Sequence, residues 1–98
     1  MSQYTLVLDP AAKADMNKID STTLAQINRR IVQVVQNPDL GKPLTAPLAG
    51  LRSVYAASKR YRVVYAVDRA DHTVTILAIG ARQAGHRRDP YAKARRRT

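Results

Sequence analysis

The chain has 98 residues, enough for one domain with one modest core, and 45% of them are hydrophobic, which excludes a disordered chain. It contains no cysteine, which excludes a disulfide framework and a thiolate metal site. The net charge is +10 with no glutamate at all, and it is lopsided: residues 1–50 carry +1 and residues 51–98 carry +9. Such a field favours a polyanionic partner, because each neutralised phosphate releases condensed counterions.

The N-terminus has no charged segment leading into an apolar one, and no apolar run approaches the roughly 20 residues that cross a bilayer. A soluble cytoplasmic protein without membrane contact is expected. His72 and His86 have no carboxylate cluster near them, so neither a metal nor another cofactor is expected.

In chain order, Tyr4–Leu8 alternates and is β-prone, which predicts a strand. Asp9-Pro10 reads as an N-cap followed by proline at the first helical position, opening a short helix over Ala11–Ile19. Asp20-Ser21 offers a second N-cap. From there Leu24, Ile27, Ile31, Val34 and Val35 form a helical stripe, with Gln26, Arg29, Arg30 and Gln33 off it. Asn37-Pro38 ends that helix. Residues 39–50, with Gly41, Pro43, Pro47 and Gly50, read as a loop.

Three strands follow: Leu51–Ala57, Tyr61–Val67 and Thr73–Ile79. The second puts Tyr61, Val63, Tyr65 and Val67 on one face and Arg62, Val64 and Ala66 on the other. The third is nearly all apolar, as a central strand should be. Asp68–His72 is the polar connection between the last two, with His72 a turn residue. Asp89-Pro90 repeats the cap-and-proline signal, so a short helix is expected from Tyr91. No repeat or linker divides the chain. The expected architecture is a single α+β domain over 1–98, with about 92–98 a mobile basic tail. A two-helix hairpin packs on one face of a twisted antiparallel sheet, and the other face stays open for a ligand. Tyr61 and Tyr65 are expected in the core.

Several fragments in this order resemble the RelE/ParE family of toxin–antitoxin toxins. They are Asn37-Pro38 closing the second helix, Gly41-Lys42-Pro43-Leu44 in the loop, and Leu48-Ala49-Gly50-Leu51-Arg52-Ser53 entering the next strand. The most specific is Tyr61-Arg62-Val63-Val64-Tyr65, which looks like the family's central strand. Ile76–Arg82 followed by Arg87–Tyr91 looks like its C-terminal signature. The likeness covers nearly the whole chain and is greatest to the RelE-like messenger-RNA interferases.

The resemblance implies a metal-independent endoribonuclease that cuts messenger RNA in the ribosomal A site. It implies catalytic roles for Arg62, Arg82 and Tyr91, and RNA or ribosome binding by Arg52, Lys59, Arg60, His86, Arg87 and Arg88. It also implies a cognate acidic antitoxin, RelB-like, in a toxin–antitoxin hetero-oligomer, besides the ribosome and messenger RNA. Two alternatives stay open: a ParE-type inhibitor of DNA gyrase, and a catalytically weak nucleic-acid-binding relic.

The residue types suit the chemistry. Cleavage by a neighbouring ribose hydroxyl needs the 2′-OH deprotonated, the 5′-oxygen protonated and the charge on the phosphoryl oxygens stabilised. Arginine suits the last task, being always charged and able to grip phosphate with two donors. A tyrosine near pH 7 is a poor base unless cations stabilise its phenolate, as Arg82, Arg87 and Arg88 would for Tyr91; alternatively Tyr91 stacks on a base. The chain departs from the family before the central strand. Many members carry a basic Arg-x-Arg or Lys-x-Lys pair and a tight glycine turn there. This chain has Val54–Arg60, without that pair or a glycine and with a turn expected to be about two residues longer.

Overall fold

The computed structural model describes residues 3–81. Strand β1 (Thr5–Leu8) leads into helices α1 (Pro10–Met16) and α2 (Ser21–Gln36). A 3-10 turn (Pro38–Leu40) and a two-residue strand β2 (Lys42–Pro43) follow, then strands β3 (Leu51–Ala56), β4 (Tyr61–Asp68) and β5 (Thr73–Ala81). Both expected caps form. The Asp9 carboxylate accepts from Ala11 N at 2.9 Å with Pro10 opening α1, and Asp20 accepts from Thr23 N at 3.0 Å to open α2. Helix α1 is shorter than expected, because Lys18 and Ile19 bond back only three residues, to Asp15 O and Met16 O, and turn the chain.

The five strands form one sheet in the order β1-β5-β4-β3-β2. Strands β3, β4 and β5 make the expected antiparallel meander. The sheet is nevertheless mixed, since β1 runs parallel to β5, from Thr5 beside Thr73 to Leu8 beside Ile76. A parallel pair needs a long crossover, and the segment holding both helices supplies it. Side-chain alternation is the same in both orientations, which is why the pattern of Tyr4–Leu8 did not reveal the direction. Strand β2 lies within the stretch 39–50 whose pattern predicts a loop; two residues are too few to leave a periodic signal.

Val63 and Tyr65 on β4 and Val74, Ile76 and Ile79 on β5 pack against Ile27, Ile31 and Val34 of α2. Strand β5 keeps this face apolar through a bulge: Val64 pairs with Ala78 but Tyr65 with Ile76, so Leu77 is the extra residue. The other face is more covered than expected. Leu48, with Leu44 and Leu51, closes over Val64 and Ala78. Only part of that face is therefore left for a ligand. On the β1 side of β5, no described strand continues beyond Leu8, and the buried carboxylate of Asp15 accepts from Ile79 N at 3.1 Å. Among the described residues no helix is long and apolar enough to cross a membrane.

Candidate nucleic-acid interface

The site starts from the alternation of β4. Because Val63 and Tyr65 point into the helix-covered core, Arg62 and Val64 must point the other way. Arg62 lies between Gly80 on β5 and Tyr55 on β3. Glycine offers it no side chain, so its lateral neighbour is Tyr55. Arg62 Nη2 donates to Tyr55 Oη at 2.9 Å, and its Cζ lies 5.0 Å from the centre of the Tyr55 ring. A cation so placed gains about 0.5–2 kcal/mol from the ring, depending on desolvation. Half-buried Arg62 is thus a fixed cation on the outward face.

Tyr55 is also held from behind. Strand β2 pairs only with Arg52 and Ser53, so β2 leaves the edge of β3 from Val54 onward uncovered. Arg30, off the apolar stripe of α2, reaches that edge. Its Nε donates to Tyr55 O at 3.0 Å, and its Nη1 donates to Gln33 Oε1 at 2.8 Å. Tyr55 therefore stands between two arginines, one on its carbonyl and one on its phenol. Lys42 pairs across from Ser53 and so shares the face of Tyr55 and Arg62.

These side chains border a cavity of about 210 Å³. Arg30, Lys42 and Arg62 bring cations to it from α2, β2 and β4, Ser53 and Tyr55 form its polar floor, and none of its described lining residues is acidic. A neighbouring groove between α2 and the β3–β4 turn adds Arg29 and Lys59. The arrangement can hold an anion by donors already fixed in place. Among the described residues no group of histidines and carboxylates could hold a metal.

The residues expected from sequence divide. Arg62 sits at the cavity. Lys59 borders the adjoining groove, and Arg60 folds back so that its Nε donates to Ala57 O at 3.2 Å. The β3–β4 turn is four residues, 57–60, and Ala57, Ser58 and Lys59 all have positive φ, of 53°, 56° and 68°. Arg52 is on the opposite face, beside Tyr65, where it donates to Gly41 O at 2.9 Å and to Asp39 O at 3.3 Å. Its position clamps the segment before β2 and keeps it away from Arg62. Arg82, His86, Arg87, Arg88 and Tyr91 lie outside the described residues, as does the expected C-terminal helix. Sequence reasoning missed Arg30, Lys42 and Tyr55 as site residues. The one available signal was that Arg30 and Lys42 are cations off any apolar pattern.

Below the site, Tyr65 carries the segment that sets Lys42 in place. Its buried phenol accepts from Gly41 N at 2.8 Å and donates to Pro38 O at 2.7 Å. Burial pushes its pKa above the ordinary tyrosine value.

Known proteins share this architecture. A family profile described as "ParE toxin of type II toxin-antitoxin system, parDE" matches residues 6–84. The chain is 35% identical over 89 residues to a Mycobacterium tuberculosis protein named Toxin RelE, covering 89% of this chain and 90% of that one. It is 26% identical over 94 residues to the mRNA interferase toxin RelE of Escherichia coli, covering 96% of each. Among solved structures, the toxin–antitoxin complex RelBE2 of M. tuberculosis contains a chain that superposes with a TM-score of 0.73 at 32% identity, over 82% of this chain and 99% of that one. The isolated RelE toxin of E. coli gives 0.71 at 25% identity, over 96% and 97%.

Proposed function

From the premise that this chain belongs to the RelE/ParE family of type II toxin–antitoxin toxins, we propose that it is a messenger-RNA endonuclease that acts on the ribosome and so stops translation. The observation that carries this reading is Arg62: an outward cation, fixed by Tyr55, beside a cavity lined by two further cations and no described acid. Relatives over nearly the full length are named RelE toxin and mRNA interferase toxin, which favours cleavage over the gyrase-directed alternative.

In this mechanism Arg62 binds the scissile phosphate and stabilises the charge that grows on its oxygens during attack by the neighbouring 2′-OH. A preorganised donor of this kind contributes about 10²–10³ in rate. Arg82 and Tyr91 are proposed from the family resemblance to share that work, Arg82 on phosphate and Tyr91 in proton transfer or base stacking. Lys59, Arg60, His86, Arg87 and Arg88 are proposed to add docking charge for ribosomal and messenger RNA. The site of action would be the cytoplasm. Its protein partner would be an acidic antitoxin, in keeping with the +10 charge and with the toxin–antitoxin complex solved for the M. tuberculosis relative.

The test is to map messages by primer extension after induced expression. Cuts inside translated codons, lost with Arg62→Ala while the fold persists, are expected. Intact messages accompanied by double-strand DNA breaks would replace this reading with gyrase inhibition.

A further inference from the structure

We propose that Arg30, Lys42 and Arg62 together seat one phosphodiester group of single-stranded RNA, so that a helix and an edge strand supply cations that the outward face of β3 lacks. The inference rests on the nucleic-acid reading of this face and names the contacts that bind there.

Three separate elements converge on the same 210 Å³ cavity, each contributing one cation. At about 30 Å³ per water, that space takes a tetrahedral oxyanion with a few waters. Arg30 is pinned by Tyr55 O and Gln33 Oε1, which uses two of the five donors of its guanidinium. The pinning fixes the plane of the fork and lowers the ordering cost when a phosphate arrives. Lys42 adds a point charge on a flexible stem that adapts to the ligand.

Among the described residues no aspartate borders the cavity. Asp9 and Asp20 cap helices, Asp15 accepts from Ile79 N, Asp39 pairs with Arg69, and Asp68 accepts from Asp71 N. The cations at the cavity therefore face ligand rather than carboxylate side chains among its described lining. A purely structural role for Arg30, as a plug on the open edge of β3, would explain its bond to Tyr55 O. It would not explain why Lys42 and Arg62 border the same space.

The experiment measures binding of a six-nucleotide 2′-O-methyl RNA, which cannot be cleaved, to the full chain by fluorescence anisotropy at several salt concentrations. Arg30→Gln and Lys42→Gln are each expected to weaken binding three- to tenfold. Combining them with Arg62→Gln should flatten the slope of log K against log salt by about 0.7, the value of one phosphate on a single strand. If the Arg30 variant unfolds, the exposed Lys42→Glu decides, with an expected loss above tenfold. Unchanged affinity and slope in the Lys42 variants, whether or not Arg62→Gln weakens binding, would overturn the proposal. The two readings separate cleanly. Message cleavage by the wild type with no effect of Lys42 on binding removes the shared seat alone. Binding that depends on all three cations, without cleavage of translated messages, keeps the seat and removes the nuclease.

Discussion

The phenol of Tyr55 accepts a hydrogen bond from Arg62 Nη2 at 2.9 Å while its ring lies 5.0 Å from the same guanidinium. One side chain thus fixes both the direction and the position of the outward arginine. Arg62→Ala should lower cleavage of ribosome-bound message by about 10²–10³, and Arg62→Lys should not rescue it, because the forked geometry is lost. Tyr55→Phe keeps the ring and removes the bond; about tenfold lower kcat with little change in KM is expected, equivalent to about 1.4 kcal/mol of transition-state stabilisation. Tyr55→Ala should lose more. Single-turnover cleavage on programmed ribosomes reads all four. Wild-type rates for Tyr55→Ala would remove Tyr55 as a positioning residue.

Tyr65 is predicted to be a stability residue. Tyr65→Phe leaves Gly41 N and Pro38 O without their buried partner, at a cost of about 2–4 kcal/mol. Gly41→Ala should destabilise comparably, because an added Cβ would collide with Tyr65 Oη and lie 2.9 Å from Ser53 O. The raised pKa of Tyr65 adds a pH signature. The folded state holds this proton more tightly than the unfolded state, so stability is complete below about pH 10 and falls as pH rises above it. Urea titrations between pH 7 and 11 should show that fall in the wild type and a shallower one in Tyr65→Phe.

At acid pH the N-cap of α2 should matter. The Thr23 backbone N–H, followed by its hydroxyl, holds the Asp20 carboxyl below the ordinary aspartate value. A depressed folded pKa contributes stability above the unfolded value, near 3.9, and loses it as pH falls through the folded value. Asp20→Ser keeps a cap without the titration. It should match the wild type near neutrality and show a flatter decline of Tm from pH 4 to 2. Parallel curves for the two proteins would contradict the assignment.

The β3–β4 turn places three consecutive non-glycine residues at positive φ. Each such residue costs about 1–2 kcal/mol, and glycine removes the steric part while adding about 0.5–1 kcal/mol of unfolded-state entropy. Ser58→Gly, at an exposed position, should therefore stabilise the protein by about 0.5–1 kcal/mol, or roughly 2–8 °C in Tm. A lower Tm would show that Ser58 does not hold this conformation at a cost.

Much of the fold was legible because its signals are local. Asp9-Pro10 and Asp20-Ser21 cap helices through bonds two or three residues long. The apolar stripe of α2 and the alternation of β4 survive almost unchanged, with Leu24 and Val35 only half-buried. The direction of β1 was not legible, since it depends on a partner far along the chain, and the bulge at Leu77 and the two-residue β2 leave no periodic signal. The site divides in the same way. Arg62 follows from the parity of one strand. The contact of Arg30 with Tyr55 spans 25 residues and leaves no periodic trace. The family resemblance assigns Arg52 to RNA, yet strand parity turns it toward Tyr65 and the carbonyls of Asp39 and Gly41.

The parallel pairing of β1 with β5 carries a consequence for biosynthesis. Thr5 is made long before its strand partner Thr73, which opens the last described strand. The first strand must wait, unpaired, until β5 has emerged, and closing so long a loop is slow compared with local helix formation. The sheet that carries Arg62 can therefore be completed only once β5 has been made. A nascent chain stopped before β5 would lack both β1's partner and the strand that flanks Arg62 opposite Tyr55.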